Sequence, residues 1–474
     1  MTVLTLDLGT SATKAALWDD TGLVAIARSE IVTTHPRAGW AEQDPDDWWR
    51  SVVDACAQLR NDEQAAYRQV TAVGFSAARE SFAGFDAELR PIGPGILWSD
   101  QRGTAAVLHF GDPDEFRART GVVLNAACCA AKIAWVSDQE PEAFAAARWI
   151  LAPRDFVVAR LTGEVLTDET LASRTGLYGL NGEVGVAEAI AEKLPPVLRA
   201  ATVVSTRTGM TRFGPTDLGL TPDVIVVLGG GDRACEVLGA GASDTVPMVS
   251  WGTTANVSIP HPGPISDLPK VAAVSIGALD GFLIEAGLSA SGSAIEWLER
   301  LCGRPTEVLL TEAAATPPGA NGVLALPWLQ GARGPWWKPD AHAVFAGLTT
   351  ASGPGELTRA IVESVAFDVA RCLELIAPDV TELAVAGGGA KSQLWRDVLA
   401  ATTGRTLVRR AVDDAASAGA RVIVGEATGQ LVDLDLLNPV IARDVADPEL
   451  QDRYQEHRRS SDALARAVLD LAAP

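Results

Sequence analysis

The stretch VIVVLGGGDRA, residues 224–234, decides how the rest of the chain is read. The unbroken apolar run Val224–Leu228 has the length and β-branched content of a buried strand. It stops at Gly229, Gly230 and Gly231, residues that let a backbone turn sharply and come close to a ligand. The next residue is Asp232. A carboxylate just past a buried strand end is placed to take a proton from a group bound in a cleft. Read locally, the same aspartate makes an Asx-turn. The choice between the two depends on how often a strand runs into glycines elsewhere in the chain.

It happens at the very start. Val3–Leu8 reads as a strand with Asp7 inside it. The turn Gly9-Thr10-Ser11-Ala12-Thr13-Lys14 follows, then strands at Ala15–Trp18 and Leu23–Ala27, so the chain opens as an antiparallel meander. Backbone amides, hydroxyls and a lysine in one turn suit a phosphate. Asp7 is costly inside a strand unless it is paired or meets a metal. Met248–Trp251 running into Gly252-Thr253-Thr254 repeats the same shape. A repeated phosphate hairpin implies a duplicated domain holding a ligand between its copies. Leu383–Ala386 runs into Gly387-Gly388-Gly389-Ala390-Lys391-Ser392 and then a helix, Gln393–Ala400. Such a unit places ligand groups at a helix N-terminus, and its glycines let a flat base lie on backbone.

Val70–Phe75 ends near Arg79 and Glu80, a donor fork beside an acceptor, suited to gripping the hydroxyls of a polyol. Taken alone, the pair also reads as a solvated ion pair. Ile96–Arg102 is a further strand end bearing Trp98. Asp44-Pro45-Asp46-Asp47 opens a helix by capping rules. Helical periodicity covers 126–135, 141–148, 154–161 and 356–376, and a charged helix spans 448–471.

At 474 residues the chain exceeds one ordinary core, so two domains are expected. The boundaries are placed at 1–238, 239–440 and a last segment, 441–474, packing back on the body. A formal charge of -21 speaks against nucleic acid or an acidic membrane as partner. Six cysteines without C-x-x-C spacing predict reduced thiols and a cytoplasmic protein. No run reaches the length of a membrane span. A P-loop needs a Gly-Lys dipeptide, and none occurs. Gly229, Gly231 and Ala234 fit a dinucleotide spacing but lack the acid that should follow about 20 residues on.

Taken together the motifs resemble those of the FGGY carbohydrate kinases. They are Asp7-x-Gly9-Thr10-Ser11, Gly39-Trp40-x-Glu42-Gln43-Asp44-Pro45-x-x-Trp48-Trp49, Trp98-x-Asp100-x-Arg102, Gly230-Gly231-Asp232, Gly252-Thr253, Gly331-x-Arg333-x-Pro335 and Gly387-Gly388-Gly389-Ala390-x-Ser392-x-x-Trp395. Within that family the likeness is nearest to the xylulose kinases and their glycerol kinase relatives. It implies an α/β fold of two actin-like, ribonuclease-H-like domains around ATP, Mg²⁺ and a small sugar or polyol. A homodimer is the expected assembly.

By resemblance, Asp232 is the catalytic base and Asp7 the metal carboxylate. Arg79, Glu80 and Trp98 are substrate residues. Gly9, Thr10, Ser11 and Lys14, with Gly252 and Thr253, hold phosphates. Gly292, Glu296, Gly388, Gly389 and Gln393 surround the nucleotide. Arg79-Glu80 follows the glycerol kinase pattern rather than the Met-His of xylulose kinases. Ala127 stands where glycerol kinases place a tyrosine, Asn256 where an apolar or aromatic residue is expected and Arg233 where relatives carry Asn or Gln, which widens and polarises the acceptor pocket toward something longer than glycerol. A ketopentose such as D-xylulose is the expected acceptor; glycerol, another polyol and an aldonate are alternatives. The rival from another class is an actin-like ATPase or binding protein without sugar phosphorylation.

Overall fold

The computed structural model describes residues 1–204, 214–263, 265 and 269–471. Residues 205–213 and 472–474, inside the first and last expected segments, lie outside the described residues, as do 264 and 266–268. The chain forms two compact units. The first contains Met1–Gly239, Val274–Leu283 and Asp414–Asn438; the second contains Ala240–Ala273, Ile284–Asp413 and Pro439–Pro474. A single crossing near 239 was expected, with 414–438 in the second domain. Those residues instead pack into the first unit, because the helix they supply completes its core.

The sheet of the first unit runs, edge to edge, Val203–Val204, Ile225–Val227, Val70–Ala77, Thr2–Leu8, Ala12–Trp18, Leu23–Glu30. Thr2–Leu8 is antiparallel to Ala12–Trp18 and parallel to Val70–Ala77, which is parallel to Ile225–Val227. Gly230–Gly231 rejoins the sheet beside Ser76 and Ala77. The expected opening meander is present, and its hairpin closes through Gly9 N donating to Ala12 O at 3.1 Å.

The second unit repeats this plan. Ala273–Ile276, Phe282–Gly287, Ala255–His261, Met248–Trp251, Glu382–Ala386, Thr406–Arg410 and Val440–Asp444 follow one another across its sheet, the first of them an edge strand without a counterpart in the other sheet. Met248–Trp251 is antiparallel to Ala255–His261 and parallel to Glu382–Ala386, which is parallel to Thr406–Arg410. An antiparallel strand closes each series, Val203–Val204 in the first unit and Val440–Asp444 in the second. The repeat read from two short Gly-Thr turns thus extends to whole sheets, giving the two actin-like, ribonuclease-H-like α/β domains expected.

Helices cover both sheets. Pro45–Asp62 starts where the capping residues put it, with Asp44 Oδ1 accepting from Asp46 N at 2.9 Å. It buries Trp48, Trp49, Val52, Cys56 and Leu59. The helix Asp232–Gly239 crosses Ala415–Ala427 at glycines. A Cβ on Gly239 would lie 1.9 Å from Ala415 O, and one on Gly419 would lie 1.8 Å from Cys235 O. Only hydrogen at those positions lets the backbones approach so closely. In the second unit Pro354–Ile376 is buried along most of its length. The final helix, Pro448–Leu471, docks there through Tyr454, whose hydroxyl meets Arg359 Nη2 at 2.5 Å and Glu363 Oε1 at 3.1 Å. Among the described residues no helix is long and apolar enough to cross a membrane.

Candidate active site

Three neighbouring parallel strands of the first unit end on one edge of its sheet, where open α/β sheets present their ligand groups. The first delivers Asp7 and the Gly9-Thr10-Ser11 turn, the second Arg79 and Glu80, and the third Asp232. Asp232 begins the helix Asp232–Gly239. Its Oδ1 accepts from Arg79 Nε at 3.2 Å and from Arg233 N at 2.7 Å. Desolvation raises its pKa above the ordinary aspartate value; Arg79 and Arg233 hold it down, while Asp7 and Glu236 push the same way as burial. The result is a carboxylate kept charged by arginines and made more basic by its surroundings.

Gly231 carries no side chain for a reason. A Cβ there would lie 2.7 Å from Arg79 Cδ, so glycine is what lets Arg79 cross over the strand end to reach Asp232. Arg233 pairs with Glu236 one helical turn on. Glu80 has φ +65°, the left-handed region that a glutamate rarely occupies. Such strain persists where the surroundings enforce it. Here Lys132 does so: its buried Nζ donates to Glu80 O at 2.9 Å and Leu97 O at 2.7 Å. Burial lowers the Lys132 pKa, while Cys129, Glu80 and Asp100 raise it. Arg174 Nη2 meets Glu80 Oε1 at 3.3 Å.

The same lysine fixes the strand end carrying Trp98. Trp98 N donates to Ser81 Oγ at 3.0 Å, and its indole Nε1 to Thr10 Oγ1 at 2.9 Å. The Gly39–Trp49 and Trp98–Arg102 motifs prove to be two halves of one fastening. Gln43 Nε2 donates to Thr10 O at 2.6 Å, and Gln43 Oε1 accepts from Trp48 Nε1 at 2.8 Å. Arg102 forks onto Asp100 at 2.9 and 2.8 Å and reaches Glu42 at 2.7 Å, with its guanidinium 3.8 Å from the Trp40 ring centroid. Asp100 Oδ2 accepts from Ala41 N at 2.7 Å.

Lys14 departs from the expectation of a cation held out to phosphate. Its Nζ lies 3.4 Å from both Asp7 Oδ2 and Asp414 Oδ2. Burial works against its charge, but the two carboxylates outweigh it and hold the ammonium above the usual lysine range. Burial and Asp7 push the Asp414 carboxyl up, and Lys14 pulls it down. Asp7 also accepts from Ser76 Oγ at 2.8 Å. Mg²⁺ keeps several waters and asks for only one or two carboxylates, so Asp7 with Asp414 fits that modest requirement. Among the described residues no group of three metal-ligating side chains occurs.

The glycines of the second unit gather around its hairpin. Gly252 N donates to Thr254 O at 2.9 Å, Gly292 N to Gly252 O at 3.1 Å and Ser293 N to Thr253 O at 3.0 Å. A Cβ on Gly292 would lie 2.8 Å from Gly252 O, and one on Gly389 would lie 2.6 Å from Trp251 Cβ. Gly388 faces open space, and Glu296 is exposed one turn into the helix Gly292–Cys302. Gln393 starts the helix Gln393–Thr403, yet its amide is engaged with Asp397 at 2.7 Å and Asp444 at 3.1 Å. Asn256 lies in this unit, its Oδ1 accepting from Ser258 Oγ at 2.7 Å.

Sequence reasoning missed Lys132 as a site residue, although a lysine among Ala, Cys and Ile in a helix signals a buried charge with a fixed partner. It also missed Arg174 and Asp414. No local pattern reveals either, because their partners are 94 residues and several hundred residues away along the chain.

The sequence model of the N-terminal domain of the FGGY family of carbohydrate kinases matches residues 2–239, and that of its C-terminal domain matches 248–425. The xylulose kinase of Escherichia coli (strain K12) is 30% identical over 487 residues, 99% of either chain. The glycerol kinase of Gloeobacter violaceus is 30% identical over 450 residues, 90% of this chain and 88% of that one. The crystal structure of ligand-bound xylulose kinase from Lactobacillus acidophilus superposes with a TM-score of 0.89 at 21% identity, covering 99% of this chain and 98% of that one.

Proposed function

This chain belongs to the FGGY family of carbohydrate kinases, and on that premise we propose that it transfers the γ-phosphoryl group of ATP to a terminal hydroxyl of a ketopentose such as D-xylulose. The observation that carries the reading is Asp232, at the start of the helix after the glycine run, with its carboxylate half-exposed and 3.2 Å from Arg79 Nε. In this proposal Asp232 accepts the hydroxyl proton, while Arg79, Glu80 and Trp98 orient the acceptor. Thr10 and its hairpin amides are assigned to the phosphates, and Gly252, Thr253, Gly388 and Gly389 to the nucleotide. Asp7, with Asp414, would hold Mg²⁺, which when bound neutralises phosphate charge. The transition state of phosphoryl transfer is loose, so positioning and charge supply most of the acceleration and an ordinary carboxylate suffices as base. We assign the enzyme to the cytoplasm, where six unpaired thiols are stable.

The xylulose kinase relatives support a ketopentose. The strained, doubly fastened Glu80 beside Arg79 favours glycerol or another polyol as the second reading, since those residues offer donors and an acceptor to vicinal hydroxyls. Arg233 supports an aldonate less, because Glu236 already pairs with it. A coupled ADP-release assay over ketopentoses, pentitols, glycerol and aldonates tests this. Stimulation by D-xylulose above all others is expected. Preference for glycerol moves the assignment to the second reading, and no stimulation by any acceptor favours an ATPase without sugar phosphorylation.

A further inference from the structure

Gly229, Gly230 and Gly231 carry Asp232, yet they have no side chains by which packing could fix them, so hydrogen bonds must set their position. Gly229 is confined to glycine: its φ is +74°, and a Cβ would lie 2.0 Å from Phe75 O. Three buried polar side chains hold the run. Arg154, wholly buried, donates through Nη1 to Leu228 O at 2.6 Å and Gly229 O at 3.0 Å. Its Nη2 meets Asp168 Oδ1 at 2.7 Å. Asp168 Oδ2 accepts from Thr170 Oγ1 at 2.5 Å and Thr170 N at 2.7 Å. Thr170 Oγ1 in turn accepts from Gly231 N at 2.7 Å. A guanidinium, a carboxylate and a hydroxyl thus grip both ends of a glycine run, and the last bond falls on the amide of Gly231, the residue immediately before Asp232.

We infer that Arg154, Asp168 and Thr170 form a positioning relay that fixes the Gly230–Gly231 peptide and so the residue preceding Asp232, with Thr170 as its terminal residue. The inference rests on the reading of Asp232 as the base. Thr170 touches neither sugar nor nucleotide in this scheme; it acts through the Gly231 amide. Its hydroxyl must accept from Gly231 while donating to Asp168, so valine, the same shape without the hydroxyl, breaks both bonds, whereas serine keeps them.

The test compares Thr170→Val, Thr170→Ser and Asp232→Asn in steady-state phosphorylation of the best acceptor. Thr170→Val should lose about 10- to 100-fold in kcat, the scale of an ångström-sized misplacement, with KM for acceptor and ATP within about 3-fold. Thr170→Ser should restore kcat to within about 3-fold. A merely structural role would move stability without this split or this rescue. In the wild-type enzyme the Gly231 amide should exchange as slowly as those of the Val70–Ala77 strand, a measurement that stands even if Thr170→Val does not fold. Wild-type kcat in Thr170→Val, equal losses in the valine and serine variants, or an unprotected Gly231 amide would overturn the relay. Full turnover in Asp232→Asn would instead remove the base assignment, so the two failures are told apart.

Discussion

Asp232, Arg79 and Glu80 stand out in the sequence because each lies just past a buried strand, and the structure brings Arg79 within 3.2 Å of Asp232. The other partners do not stand out. Lys14 reads as a free cation in a phosphate turn, yet Asp414, 400 positions along the chain by number, ties it to Asp7. Lys132 spends its charge on the carbonyls of Glu80 and Leu97. Lys132→Met should therefore relax the strained Glu80 and the Trp98 strand end together. Steady-state kinetics should show KM for the acceptor rising by about 10-fold or more, one to two lost charge-assisted hydrogen bonds, with KM for ATP nearly unchanged. The pH profile has a definite sign. Asp232 works as base only when deprotonated, so activity is lost as pH falls through its pKa. Desolvation raises that pKa, so the acid limb of kcat/KM should lie above the ordinary aspartate range. Arg79 holds the pKa down, and Arg79→Met should move the limb further toward neutral pH. A limb unmoved by Arg79→Met would contradict the pairing.

Among the elements, the hairpins, the strand–glycine–helix unit, the capped helix at Asp44 and the final helix Pro448–Leu471 all follow from local chemistry: periodicity, turn residues and caps. The crossing of Asp232–Gly239 with Ala415–Ala427 does not, since a glycine inside a helix is locally only a poor helix former. In the fold Gly419 is where one helix backbone sits on another. Gly419→Ala would set a Cβ 1.8 Å from Cys235 O, which must push the helix bearing Asp232 aside. The expected cost is at least the ~1–3 kcal/mol of an overpacked core, read as a lower denaturant midpoint, together with a fall in kcat. An alanine variant as stable and active as wild type would show that the crossing is looser than described. Gln393 teaches a similar lesson. The helix N-terminus was legible, but its side chain is drawn into a network with Asp397, Arg396 and Asp444, the last lying on a strand far along the chain.

At the scale of the whole molecule, two short Gly-Thr turns announced a duplication that proves to run through six successive strands of each sheet. The return of 414–438 to the first unit was invisible, because periodicity describes what a segment is and not where it packs. With a net charge of -21, phosphate groups would have to be held by local amides and hydroxyls rather than by a broad basic face. The central claim is that this duplicated fold performs acceptor-dependent phosphoryl transfer with Asp232 as its base. It is tested most directly by measuring acceptor-stimulated ADP release in wild type and Asp232→Asn at matched ATP occupancy. The account predicts stimulation by a small sugar or polyol in the wild type, a loss of roughly two to four decades in the variant, and ATP affinity unchanged. Equal turnover in the two proteins would contradict it.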